Sequence, residues 1–96
     1  MRRFEGMTVL ITGATGGFGA RSAERFAAEG AKLVLSDIDE VRLRSLADGL
    51  DAETAILAGD VADEDLSHAL VALAVERFGR LDIALNNAGI VQDLAK

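Results

Sequence analysis

Ninety-six residues, half of them apolar, suffice for one small globular domain that buries somewhat under ~70% of its unfolded surface. A formal net charge of −6 argues against the basic face that a nucleic acid or an anionic membrane requires, and the absence of cysteine excludes disulfides, thiolate metal sites and a cysteine nucleophile. No apolar run approaches the ~18 residues of a membrane span, and the opening MRRFEGM has no apolar stretch behind its arginines, so it does not read as a signal peptide and a soluble, cytoplasmic chain is expected.

The hydrophobic period switches back and forth along the chain. TVLI (Thr8–Ile11) is a β-branched apolar run, the pattern of a strand buried on both faces. Phe18 to Glu29 has Ala23, Phe26 and Ala27 at helical spacing, with Gly30 as its stop. KLVLSD (Lys32–Asp37) predicts a second strand. Asp39 to Leu50 predicts a second helix, capped by Asp39, with Val41, Leu43, Leu46 and Leu50 apolar. TAILAG (Thr54–Gly59) predicts a third strand. Asp63 to Gly79 predicts a third helix whose acidic first turn suits its dipole. LDIALNN (Leu81–Asn87) predicts a fourth strand, and Ala88 to Lys96 is too short for another strand and its crossover. Strands alternating with helices specify a parallel sheet, and right-handed crossovers place helices on both of its faces.

Between the first strand and the first helix lie four glycines, in the order Thr12-Gly13-x-x-Gly16-Gly17-x-Gly19. A pyrophosphate needs backbone N–H groups aimed at it, and a helix N-terminus supplies both those groups and positive potential. Gly13 would allow the tight turn, Gly17 the close approach of phosphates and Gly19 the packing of helix on strand, while Gly16 adds local freedom. Thr15 and Phe18 complete the candidate loop contacts. The lysine of a mononucleotide phosphate loop is missing: Ala20 and Arg21 follow Gly19. A turn with no ligand is the alternative reading of the glycines.

Three motifs in order, TGATGGFG at the loop, GD-V at Gly59–Val61 and NNAG at Asn86–Gly89, make the chain resemble the short-chain dehydrogenases/reductases. The resemblance covers nearly the whole chain but only the N-terminal part of a typical family member. It implies NAD as cofactor and hydride transfer on an alcohol/carbonyl pair as the family reaction. The expected fold is therefore a Rossmann-like three-layer half-domain, a single truncated dinucleotide-binding domain over residues 1–96. Its four-stranded parallel sheet has the order 3-2-1-4, an order that rests partly on the resemblance.

Asp37 ends the second strand, 18 residues after Gly19. A carboxylate there can accept hydrogen bonds from both adenosine ribose hydroxyls and would repel a 2′-phosphate. Ser36 and Ile38 flank it with no adjacent Arg or Lys, and Gly16 stands where NADP-using relatives often carry a basic residue, so NAD is expected over NADP. Capping of the next helix is the alternative role for Asp37. By resemblance, Asp60 accepts from the adenine amine, the Val61 N–H serves the ring, and Asn87, Ala88 and Gly89 line the nicotinamide ribose. Ile38 is expected to offer apolar surface to the adenine. Thr12 and Asn86 read as structural. His68, inside the third helix beside Ser67, and the acidic run Asp63-Glu64-Asp65 read as surface features rather than catalytic or metal groups.

The family's proton chemistry uses a Tyr-x-x-x-Lys pair, a Ser and a later Asn. These 96 residues contain no tyrosine, and no catalytic residue is assigned. Two readings follow. One is the cofactor-binding part of a dehydrogenase, without turnover as this chain. The other is a non-catalytic module that binds dinucleotide or only oligomerises. One helix cannot cover one whole face of four buried strands, so self-association through the fourth strand and the third helix is expected.

Overall fold

The computed structural model describes residues 3–87. Four strands, β1 (Thr8–Thr12), β2 (Lys32–Ser36), β3 (Thr54–Ile56) and β4 (Ile83–Asn86), alternate with three helices, α1 (Gly17–Ala28), α2 (Glu40–Asp48) and α3 (Glu64–Phe78). All strand pairs are parallel, in the order β3-β2-β1-β4. The expected topology is the observed one.

Period-two alternation sorts the strand side chains onto two cores. Val9, Ile11, Leu33 and Leu35 point to one face, where Ala23 and Ala27 of α1 and Leu43 of α2 cover them. Leu10 and Val34 point to the other, beneath Leu66, Leu70 and Ala74 of α3. β1 and β2 each contribute to both layers, which is why they read as unbroken apolar runs. The buried stripe of α3 follows the four-residue step 66, 70, 74, so Ala74 completes it and Leu73 packs at its margin. Val41 departs from the expected apolar face of α2 and lies exposed, whereas Leu43 is fully buried.

The helix ends follow the residues predicted for them. The Asp39 carboxylate accepts from the Arg42 N–H, the Asp63 carboxylate accepts from the Asp65 N–H, and Gly79 closes α3 in the left-handed region at φ 82°. Gly30, at φ 95°, ends α1.

Three strands are shorter than predicted. At β3 the Ser36 hydroxyl takes the Leu57 carbonyl at 2.7 Å, so that carbonyl leaves the ladder. The chain nevertheless stays tied to β2 through Leu57 N–H to the Leu35 carbonyl and Gly59 N–H to the Asp37 carbonyl. Asp37 falls just past β2 because its carboxylate turns back on the loop. At β4 the first ladder residue is Ile83, and the preceding Asp82 clasps β1 instead. Its carboxylate accepts from the Thr8 N–H at 2.9 Å and from Arg80, and its own N–H donates to the Thr8 carbonyl. The Arg80 guanidinium and the Thr8 N–H hold the Asp82 carboxyl below its ordinary value of 3.8. No helix among the described residues is long and apolar enough to cross a membrane.

Candidate functional site

The carboxyl ends of β1, β2 and β3 open onto two adjoining hollows that share Gly13 and Asp37. The larger, about 450 Å³, is lined by the glycine loop from Gly13 to Gly19 with Asp37, Arg42 and Asn87. The smaller, about 190 Å³, lies between Asp37 and Ile38 after β2 and Gly59, Asp60 and Val61 after β3. The loop, the second-strand carboxylate and the Asp60–Val61 pair therefore converge, although they are far apart in the chain. Phe18, Ile38 and Val61 are exposed apolar side chains on this rim. A hollow of about 490 Å³ also lies at the amino ends of the strands, lined by Glu5, Lys32, Asp51 and Glu53 among others, and no helix begins there.

Each glycine of the loop has a different spatial reason. Gly13 sits at φ 67°, a left-handed turn that brings the chain from β1 into the loop. A Cβ on Gly19 would overlap the Gly13 carbonyl oxygen and lie 2.9 Å from the Ala14 Cα, so helix and turn touch backbone to backbone. A Cβ on Gly17 would meet nothing within 4 Å. One on Gly16 would make only an ordinary contact, 3.5 Å from the Gly13 oxygen.

The start of α1 differs from the other two helices. α2 and α3 each begin on an aspartate that accepts a backbone N–H, whereas Gly16 caps α1 with no side-chain bond and no acidic residue follows in the first turn. The first N–H groups of α1 and the positive end of its dipole thus face the larger hollow with no side-chain cap bonded to them.

Asp37 is committed to the loop. Its Oδ2 accepts from the Thr15 N–H at 2.9 Å and from the Thr15 hydroxyl at 2.6 Å, and its Oδ1 accepts from the Ile38 N–H at 2.7 Å. Burial opposes the charge, but the Thr15 hydroxyl, the two N–H groups and the Arg42 guanidinium outweigh it and hold the carboxyl below its ordinary 3.8. A carboxylate has about four acceptor positions. The Thr15 hydroxyl can rotate away from Asp37, and in doing so would return one of them.

Arg42 was not visible from the sequence around Asp37. Its guanidinium donates to the Thr15 carbonyl at 3.2 Å and lines the same hollow, so the carboxylate does have a basic neighbour. The signal was present in the Asp39 cap, which fixes Arg42 in the first turn of α2 with its side chain directed back toward the helix start.

Asp60 folds its own turn: its Oδ1 accepts from the Ala62 N–H at 2.9 Å, and its carbonyl accepts from the Asp63 N–H. Asp63, not Asp60, caps α3. Thr12 and Asn86 are tied to each other, the Thr12 hydroxyl donating to Asn86 Oδ1 at 2.8 Å. The Asn87 N–H donates to the Thr12 carbonyl, while its buried Nδ2 has no partner among the described residues. Ala88 and Gly89 lie outside the described residues. His68 is exposed on α3, and so is each of Asp63, Glu64 and Asp65.

The family model for short chain dehydrogenases matches residues 7–96. The chain belongs to the short chain dehydrogenase family. It is 45% identical over 91 residues to an uncharacterized oxidoreductase of Thermotoga maritima, covering 92% of this chain and 36% of that protein. A short-chain dehydrogenase/reductase (glucose/ribitol dehydrogenase) from Brucella melitensis superposes with a TM-score of 0.82 at 42% identity, covering 84% of this chain and 34% of that one. A family member from Burkholderia phymatum in complex with NAD superposes with a TM-score of 0.82 at 39% identity, covering 88% of this chain and 31% of its own. The chain spans about a third of the length of the curated relatives it matches.

Proposed function

We propose that residues 1–96 are the NAD-binding portion of an alcohol/carbonyl oxidoreductase, and that as this chain they bind the dinucleotide without turnover. The observation that carries the reading is the start of α1, capped by no side chain, at a hollow lined by the glycine loop, where a Cβ on Gly17 would meet nothing within 4 Å. The residues fit a pyrophosphate: backbone N–H groups are available at Gly17, Phe18 and Gly19, and the buried Asn87 Nδ2 adds an unused donor in the same hollow.

In this reading Gly13, Thr15, Gly16, Gly17, Phe18 and Gly19 surround the phosphates. Asp37 accepts from the adenosine ribose through Oδ1 and, once the Thr15 hydroxyl turns away, through Oδ2. Ile38 and Val61 sandwich the adenine, and Asp60 accepts from its amine. Asn87, with Ala88 and Gly89, serves the nicotinamide ribose. When bound, NAD supplies the hydride acceptor of the family reaction. The tyrosine acid/base of the family reaction has no counterpart among these 96 residues.

Calorimetric titration with NAD and NADP tests the reading. NAD is expected to bind more tightly, by on the order of tenfold, because like charges ~4 Å apart in a partly solvated site repel by about 1–4 kcal/mol. The NAD-loaded chain is expected to reduce no NAD when offered a panel of alcohols. Equal affinities, or preference for NADP, would remove Asp37 from the ribose role.

A second reading, self-association, rests on different surfaces. Among the described residues β4 pairs only with β1, and the outer side of α3 exposes Val71 and Val75 at 44% and 53%. An open strand edge and exposed β-branched side chains each suit pairing with a second copy of the chain. Sedimentation velocity at micromolar concentration should show a dimer or larger species. A monomer that also unfolds cooperatively would contradict it.

A further inference from the structure

The hollow that the NAD reading depends on holds two opposite charges. Asp37 faces it from the end of β2, and Arg42 faces it from the first turn of α2. The Arg42 backbone is fixed, because its N–H donates to Asp39 Oδ1 at 3.2 Å. The side chain is exposed, and of the five donors that a guanidinium carries, one is used on the Thr15 carbonyl. The other basic residue of α2, Arg44, is held by Glu40 at 3.0 Å and turns elsewhere. Arg42 is therefore a cation with spare donors, held beside the carboxylate expected to reject a 2′-phosphate.

We propose that Arg42 is a latent 2′-phosphate ligand, so that cofactor choice in this chain rests on the single carboxylate of Asp37. With that carboxylate present, its charge opposes the phosphate and occupies the guanidinium's field. With it neutralised, the guanidinium offers two N–H groups to phosphate oxygens in the geometry arginine favours. No second basic residue has to be introduced. The proposal rests on the dinucleotide reading above and goes beyond it by assigning a specificity role to a residue outside the family-like motifs.

The test is calorimetric titration of the full chain with NAD and with NADP, for wild type, Asp37→Asn and Asp37→Ser, and for each of these variants combined with Arg42→Ala. Asn retains an acceptor for the Thr15 N–H, and Ser removes the group altogether, so the result does not hang on one variant folding. Either neutral variant should bind NADP at least about tenfold more tightly than wild type, the scale of one charge-assisted hydrogen bond. Arg42→Ala in that background should cancel the gain, read as the ratio of NADP to NAD affinity within each variant. The gain should also fade with added salt, which a purely structural Arg42 would not produce. A gain that survives Arg42→Ala, or no gain in either neutral variant while NAD still binds wild type, would overturn the proposal alone. Failure of wild type to bind NAD would overturn the dinucleotide reading and this proposal together.

Discussion

Gly17→Val is expected to abolish NAD binding and leave the fold intact. The position is the first residue of α1, and a Cβ built there meets nothing within 4 Å. No neighbour has to move, and valine at a helix start costs less than about 1 kcal/mol in propensity. The branched side chain would instead fill the space directly over the uncapped N–H groups. Two charge-assisted hydrogen bonds lost, at about 1.5–3 kcal/mol each, correspond to at least about a hundredfold in affinity. Calorimetry paired with circular dichroism checks both halves of the expectation. Normal binding by a well-folded variant would reduce the loop to a turn.

Gly19→Ala should do the reverse, damaging the fold first and binding only as a consequence. The added methyl would overlap the Gly13 carbonyl oxygen and press on Ala14, and both are backbone rather than flexible side chain. Either the left-handed turn at Gly13 opens or α1 lifts from β1, where Ala23 and Ala27 pack on Val9 and Ile11. Overpacking of this kind costs about 1–3 kcal/mol or more. In a domain of this size each kcal/mol shifts Tm by roughly 4–8 °C. Thermal unfolding should therefore show a fall on the order of 10 °C. An unchanged Tm would mean that the turn is softer than its geometry implies. Two glycines two residues apart thus separate a ligand contact from a packing contact.

The distinction between them was legible in the sequence only as a spacing. So were the alternation of strands and helices, the aspartate caps and the glycine stops, because each depends on a few neighbouring residues. Crossover handedness put α1 and α2 opposite α3. The strand order needed the family resemblance, since nothing local says on which side of β1 the chain returns. Strand ends were overestimated where side chains displaced ladder bonds, as Ser36 and Asp82 do. The site was legible as separate motifs but not as a charge balance. Thr15 and Arg42 bear on Asp37 only because the loop and the start of α2 fold over the same strand end, a contact that spans 22 residues for Thr15.

The central claim is that one continuous surface across the glycine loop, the end of β2 and the end of β3 receives the dinucleotide. Amide resonances followed during a titration with NAD test it most directly. The largest shifts are expected together at Gly13 to Gly19, at Asp37 and Ile38, and at Asp60 and Val61. Shifts confined to the opposite hollow, around Glu5, Lys32 and Glu53, or no shifts at saturating NAD, would contradict it.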